Sequence, residues 1–301
     1  MESNTAAPPA QPTVAKINFR SLIKETLMKA VFAIAAVLFI AAVILICVYL
    51  FARAIPGITE IGWVNFLFGS DWALGMDLFG IGTLVVGTCI STVGALIIGV
   101  PIGLLTATFM AFYCPKWLYK VLKPLTNILA GIPSIVYGYF GLKVVVPLIR
   151  SAFGGAGFNI ITASLVLGVM ILPTIISITE NSLRAVPKSY YEGTIALGAT
   201  KERAIFRTMF PAAGSGVMTA IILGLGRAIG ETAAITLLCG NIAHFPTALT
   251  DPFVTLASAI SSGMGYSSGL RLEALIGCAA VLFVFVLIIT TLIMLLKRKA
   301  K

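Results

Sequence analysis

The 301-residue sequence has little charge: Asp, Glu, Lys and Arg make up 11% of it, where an ordinary soluble domain carries roughly a quarter. A charged, water-covered globule is therefore excluded. Histidine is almost absent too. The single one, His244, lies in a loop near Pro246 and reads as a surface residue, so no Ser/His/Asp or metal-binding constellation can be assembled. The five cysteines, Cys47, Cys89, Cys114, Cys239 and Cys278, sit in or beside apolar runs without metal-type spacing, as small packing residues do. No Gly-x-x-x-x-Gly-Lys-Ser/Thr loop occurs, so the chain lacks that device for cradling nucleotide phosphates. Nor is there a basic stripe. The net charge is +10, but Lys and Arg stand at the ends of apolar runs, which argues against nucleic acid as a partner.

Long hydrophobic runs fill the space that charge leaves. With 59% hydrophobic residues and a mean hydropathy of +1.04, the composition is that of an all-α polytopic membrane protein. Residues 1 to about 15 are rich in Ala, Pro, Gln and Thr and predict a disordered segment, within a tail of residues 1–26 ahead of a membrane domain of residues 27–301. The first apolar run, Ala30 to Ala52, has no small-residue cleavage site and predicts a retained span. Ile55 to Phe79 holds Glu60, Trp63, Asp71, Trp72 and Asp77 but no Lys or Arg, which suits an outer interface.

A second span is expected over about Thr83–Ala111. Gly87, Ser91, Ala95, Gly99 and Gly103 recur along it every four residues, a stripe that lets another helix approach closely. A short loop with Lys116, Lys120 and Lys123 then precedes a third span, about Leu125–Leu148. Gly131, Ser134, Gly138 and Gly141 fall on one face of it as packing positions, and Lys143 and Arg150 near its far end can snorkel to the interface. Gly154, Gly155 and Gly157 make a turn. The fourth span, about Asn159–Leu183, carries Pro173 as an expected kink and ends in a Glu180–Arg184 pair four residues apart.

A polar loop, residues 184–211, comes next. Pro187 suits a first helical turn, Tyr191–Leu197 predicts a short helix ended by Gly198, and Lys201–Met209 a second one leading to Pro211. The fifth span is expected over about Pro211–Cys239, followed by a loop of about 30 residues. The sixth covers about Leu272–Leu296. Sixteen of the 21 Lys and Arg lie in the N-terminal tail, the 2–3 loop, the 4–5 loop and the C-terminus. Six spans with both termini cytoplasmic put all four segments inside, as the positive-inside rule requires.

Arg227 and Glu231, in the fifth span, are the chemically informative pair. Ionisable groups at that depth are costly unless paired or facing water, so they mark a pathway by default. Arg227 can fork onto the oxygens of an anion, with Glu231 holding it and preventing over-tight binding. A structural salt bridge between packed helices is the alternative. Thr232 adjoins them, and Gly224, Gly226 and Gly230 leave room for backbone N–H groups to approach an ion.

The polar loop resembles the cytoplasmic signature of ABC-importer permeases, in which Glu-Ala-Ala is followed after three residues by Gly and later by Leu-Pro. Here Glu192, Gly198 and Pro211 match, while Gly193, Thr194 and Phe210 depart. Closer similarity lies elsewhere. Leu129–Gly138, Met170–Ile175, Ala196–Thr200 and Gly226–Thr232 resemble the phosphate-specific ABC transporter permeases, and Phe66–Trp72 and Cys239–Asn241 look more like the C subunit than the A subunit. The resemblance runs from about residue 20 to the end.

It implies the ABC type I importer architecture in a bacterial inner membrane. The C-type and A-type permeases would share the pathway, with two copies of an ATPase on their cytoplasmic loops and an extracytoplasmic protein delivering phosphate. The helix around Glu192–Gly198, between Pro187 and Pro211, would be the coupling helix. ATP and Mg would reside on the ATPase, and this chain would hold no cofactor. Import of another oxyanion such as sulfate or molybdate, an ion-coupled carrier, and a membrane sensor or adaptor are the competing readings. Six spans without an inverted repeat disfavour the carrier.

Overall fold

A computed structural model describes residues 19–299, with side chains from Thr26 to Leu295. The expected disordered segment of residues 1–15 and the C-terminal Lys301 lie outside the described residues. By internal contacts the chain divides into residues 1–49 and residues 50–301. The first unit contributes most of a long helix, α1 (Phe19–Ile61), whose apolar side chains from Leu27 to Tyr49 are almost all bare, Leu38 and Phe39 by about two-thirds. The charge-free stretch from Ala30 to Tyr49, with no buried face, is stable in hydrocarbon and not in water.

The second unit is built from short and long helices: α2 (Trp63–Phe68), α3 (Gly82–Thr108), α4 (Lys116–Gly131), α5 (Ser134–Phe140), α6 (Val146–Phe153), α7 (Ile160–Ala185), α8 (Lys188–Ala196), α9 (Lys201–Ala204), α10 (Phe210–Ala212), α11 (Gly214–Ile229), α12 (Ala233–Leu238), α13 (Leu256–Gly263) and α14 (Leu270–Lys299). Among the described residues five helical stretches are long and apolar enough to cross a membrane: Thr26–Ile61, Gly82–Tyr113, Ser134–Phe153, Ile160–Ala185 and Leu270–Leu295. A sixth appears if Lys201–Ala212 and Gly214–Ile229, bent by 73° at their junction, count as one span.

The heart of the unit is α3 against α7. All five residues of the small-residue stripe are buried, and a Cβ at Gly99 would come within 2.6 Å of Ile171 while one at Gly103 would come within 2.7 Å of Ile175. The stripe is thus a close-packing seam. Asn159 caps α7, its side chain accepting from the Thr162 N–H at 2.9 Å. Around this seam one apolar cluster gathers Val166, Met170, Ile171, Ala234 and Leu238. A second joins Ala54, Ile58, Phe66, Leu84, Leu256 and Cys278.

Outside the spans a small hairpin, β1 (Trp72–Ala73) paired antiparallel with β2 (Leu78–Phe79), is tied to α14 by an Asp77–Arg271 ion pair at 2.6 Å. The hydrogen bond from Arg271 holds the Asp77 carboxyl below its usual pKa, against desolvation in the opposite direction.

Four expectations need correction. The lysines expected in a loop open α4, because Pro115 starts a helix whose inner face, Tyr119, Leu122 and Thr126, packs on the bundle. The third span is not continuous: it breaks at Ile132–Pro133, Pro133 having no N–H to extend α4. A π-turn at Gly141–Val145 then joins α5 to α6 in one helical stretch, Ser134–Phe153. The fifth span is broken twice, at Ala213 and at Gly230–Thr232. Finally, the loop after it contains α13, started by a capping box between Thr255 and Ser258.

Candidate functional site

The fold places the two halves of the sequence-predicted site at different depths. On α11, Gly216 lies against Ser182 and Gly224 against Ile175 of α7, so the two helices run antiparallel. Ile175 stands ten residues before the end of the 26-residue α7, about 15 Å along its axis. Arg227, one turn beyond Gly224, is therefore near the middle of the membrane-crossing length. It sits in the last turn of α11 and is partly exposed.

Glu231 is not on that helix. α11 ends at Gly230, whose N–H donates to the Gly226 carbonyl at 3.1 Å, and the chain restarts as α12. Glu231 Oε1 accepts from the Ala234 N–H at 3.0 Å, and the Thr232 carbonyl accepts from both the N–H and the hydroxyl of Thr236. Glu231 and Thr232 thus satisfy the N-terminus of α12. The expected Arg227–Glu231 pair is not formed. Among the described residues no carboxylate comes within ion-pair distance of Arg227, because the break turns Glu231 towards α12.

The neighbours of this break come from α5. A Cβ on Gly138 would lie 2.8 Å from the Ala234 Cα, and one on Gly141 would lie 3.0 Å from Leu238. Tyr137, within electrostatic reach of Arg227, donates its hydroxyl to the Leu129 carbonyl at 2.8 Å across the Ile132–Pro133 break. Gly131 and Ser134 do not continue this face: Gly131 is exposed with nothing within 4 Å, and Ser134 opens α5 on the other side of the break. A Cβ on Gly226 would likewise meet no atom within 4 Å outside its own helix.

The cytoplasmic-signature residues lie around α8. Pro187 is the residue before its first turn and Gly198 follows it at φ +85°, a conformation that glycine adopts at little cost. Glu192 is exposed, and so is Leu197, by 90%. Tyr191 stacks on Phe112 at the end of α3, and the Thr194 hydroxyl donates to Thr208 at 3.1 Å. Thr200 caps α9. Pro211 lies in α10, immediately before the 73° bend into α11.

One charged cluster was visible in the sequence only as a helix-surface pair. Glu180, 0% exposed, accepts from Arg184 Nε, from Lys123 Nζ and from the Tyr119 hydroxyl, each at 2.7 Å. Arg184 Nη2 also donates to the Met110 carbonyl, and its guanidinium lies 4.6 Å from the centre of the Tyr119 ring. The hydrogen bond to Glu180 pushes the Tyr119 phenol above its ordinary pKa. The spacing of Tyr119 and Lys123, one turn apart, was the available signal.

The family of binding-protein-dependent transport system inner membrane components matches residues 99–301. The chain belongs to this family. It is 35% identical over 238 residues to the probable ABC transporter permease protein YqgH of Bacillus subtilis, covering 77% of each chain. To the phosphate transport system permease protein PstC of Haemophilus influenzae it is 34% identical over 298 residues, covering 92% of this chain and 91% of the relative. Among solved structures, inward-facing MetNI methionine ABC transporter aligns at a TM-score of 0.55 and 21% identity, covering 74% of this chain and 94% of that one. That likeness carries the fold. The protein is a multi-pass component of a bacterial inner membrane.

Proposed function

We propose that this chain is the permease subunit of an ATP-driven importer of inorganic phosphate. It crosses the membrane six times with both termini in the cytoplasm, α11 and α12 forming the broken fifth crossing. The observation that carries the reading is Arg227: a guanidinium near mid-membrane, at the open end of a broken helix, with no carboxylate in ion-pair reach among the described residues. A lone cation there is costly unless a mobile anion or water faces it. The guanidinium fork matches phosphate oxygens. Glu231 and Thr232 shape the break beside it, while Gly226 and Gly230 keep side chains out of its approach. Relatives named as phosphate transport permeases support the substrate.

Exposed α8 supplies a docking surface, with Glu192 outward and Gly198, Pro187 and Pro211 fixing its ends. The partners are an A-type sister permease, two copies of an ATPase that hold ATP and Mg, and an extracytoplasmic phosphate-binding protein. The test is uptake of radioactive phosphate into liposomes that contain the whole assembly. Uptake driven by ATP and lost in Arg227→Ala is expected, and so is failure of the ATPase to bind a Glu192→Lys chain. Uptake of sulfate or molybdate in place of phosphate would keep the permease and overturn the substrate. Unchanged uptake by Arg227→Ala would overturn the pathway.

A further inference from the structure

The Glu180 cluster has no part in anion binding or docking as described, yet it holds the most thoroughly enclosed carboxylate among the described residues. We propose that Glu180 is a positioning residue of transport: it passes the movement of α8 to α4, and through α4 to the Arg227 break. The inference rests on the transport reading above.

Connectivity carries it. Arg184 lies three residues before Pro187, so any displacement of α8 pulls on it directly. Arg184 grips Glu180, and Glu180 grips Tyr119 and Lys123 of α4, all at 2.7 Å. At the other end of α4, Tyr137 holds the Leu129 carbonyl across the Ile132–Pro133 break, so α5 follows α4. Next to Tyr137, Gly138 touches Ala234, whose N–H is held by Glu231. The chain of contacts runs from the cytoplasmic face to the anion site without passing through α11. Such contiguous hydrogen-bonded and packed elements are what can carry coupling between distant sites.

The cluster is also not needed to neutralise trapped cations. The side chains of Lys123 and Arg184 are 25% and 44% exposed and can be hydrated, whereas the Glu180 side chain is wholly enclosed. Removing the carboxylate would therefore remove the charged hydrogen bonds between α7 and α4 while leaving both cations in contact with water.

The experiment uses the complete assembly in liposomes and reads phosphate taken up per ATP hydrolysed. Glu180→Gln keeps the size of the side chain and removes its charge. It should leave ATPase co-purification and ATP hydrolysis within two-fold of the parent and lower uptake per ATP at least ten-fold. Glu180→Asp should restore part of it. Tyr119→Phe and Lys123→Met, milder changes that serve if Glu180→Gln fails to accumulate, should lower the ratio about two- to five-fold.

A second readout does not depend on the substrate. In a chain whose native cysteines are replaced, Thr232→Cys should react with a charged thiol reagent at a rate that ATP changes, and Glu180→Gln should abolish that change. An unaltered ratio in all three variants overturns the proposal. So does a loss of uptake and hydrolysis in equal proportion, which is what a merely structural residue gives. ATP-dependent Thr232→Cys reactivity that survives Glu180→Gln overturns this inference alone; reactivity that ATP never changes in the parent overturns the transport reading with it.

Discussion

Two charged sites in one membrane domain are built on opposite principles. At Glu180 a buried carboxylate meets two cations and a phenol, and Arg184 also donates from Nη2 to a backbone carbonyl. At Arg227 a cation is left without a carboxylate, while the acid four residues on caps a helix. Enclosed charge is tolerable only when saturated by partners, so the first site is complete within the chain. The second has no carboxylate partner among the described residues, as the proposed anion pathway requires, whereas a saturated cluster suits the proposed positioning role.

The comparison breaks most visibly at Arg227. Arg227→Ala should reduce phosphate uptake by about 10- to 100-fold, the equivalent of one charged hydrogen bond of roughly 1.5–3 kcal/mol, while thermal unfolding of the purified chain in lipid changes little. Arg227→Lys should retain part of the uptake. A large loss of stability with Arg227→Ala would mean that this site too is saturated. Glu180→Ala should do the reverse to stability. Breaking a buried pair by removing one partner costs about 3–5 kcal/mol, and the water contact of Lys123 and Arg184 should bring this nearer ~2–3 kcal/mol. Denaturant or thermal unfolding measures it.

Much of this contrast could be anticipated, and the remainder has a physical reason for being hidden. The spans were legible because hydrocarbon forbids charge over about 20 residues. The α3 seam was legible because five small residues in register have few other uses. Arg227 was legible because its cost in lipid singles it out. The break at Gly230–Thr232 was not. Gly-Glu-Thr fits an amphipathic helix as well as a cap, and the choice is made by α5 packing on α12 through Gly138, a contact between residues 96 apart. The partners of Glu180 lie 57 and 61 residues away in a segment that reads as a basic loop, so its burial could not be seen from the Glu180–Arg184 spacing. Local rules found the elements; long-range contacts decided where they stop.

The proposed anion site depends on the contact of Gly138 with α12, and Gly138→Val tests it. The new side chain would have to enter 2.8 Å from the Ala234 Cα, which is backbone and cannot swing aside. Overpacking of this kind costs about 1–3 kcal/mol. Uptake should fall with it, because α12 and the Glu231 cap must shift. Glu231→Ala is expected to be milder. It removes one cap from α12, worth ~1 kcal/mol, and Glu231→Gln, which keeps an acceptor, should recover most of that. If Glu231→Gln instead abolished uptake as fully as Arg227→Ala, the carboxylate charge itself would be needed in transport, and the contrast between the two sites would narrow.

The smallest expected effect sharpens the same contrast. Gly131 and Gly138 stand on the two sides of the Ile132–Pro133 break and read alike in the sequence, as members of one packing face. In the fold Gly131 is the exposed last residue of α4 with nothing within 4 Å. Gly131→Ala should therefore be tolerated within this chain. In a helical backbone it should stabilise by up to about 0.5–1 kcal/mol, since alanine loses less conformational freedom than glycine on folding. The isolated chain and the full assembly should be compared by thermal unfolding. Equal behaviour in both places Gly131 on a free surface. A variant stable alone but weakened in the assembly would show that the sister subunit packs there, so that the two glycines share a purpose after all, one against α12 and one against a neighbouring chain.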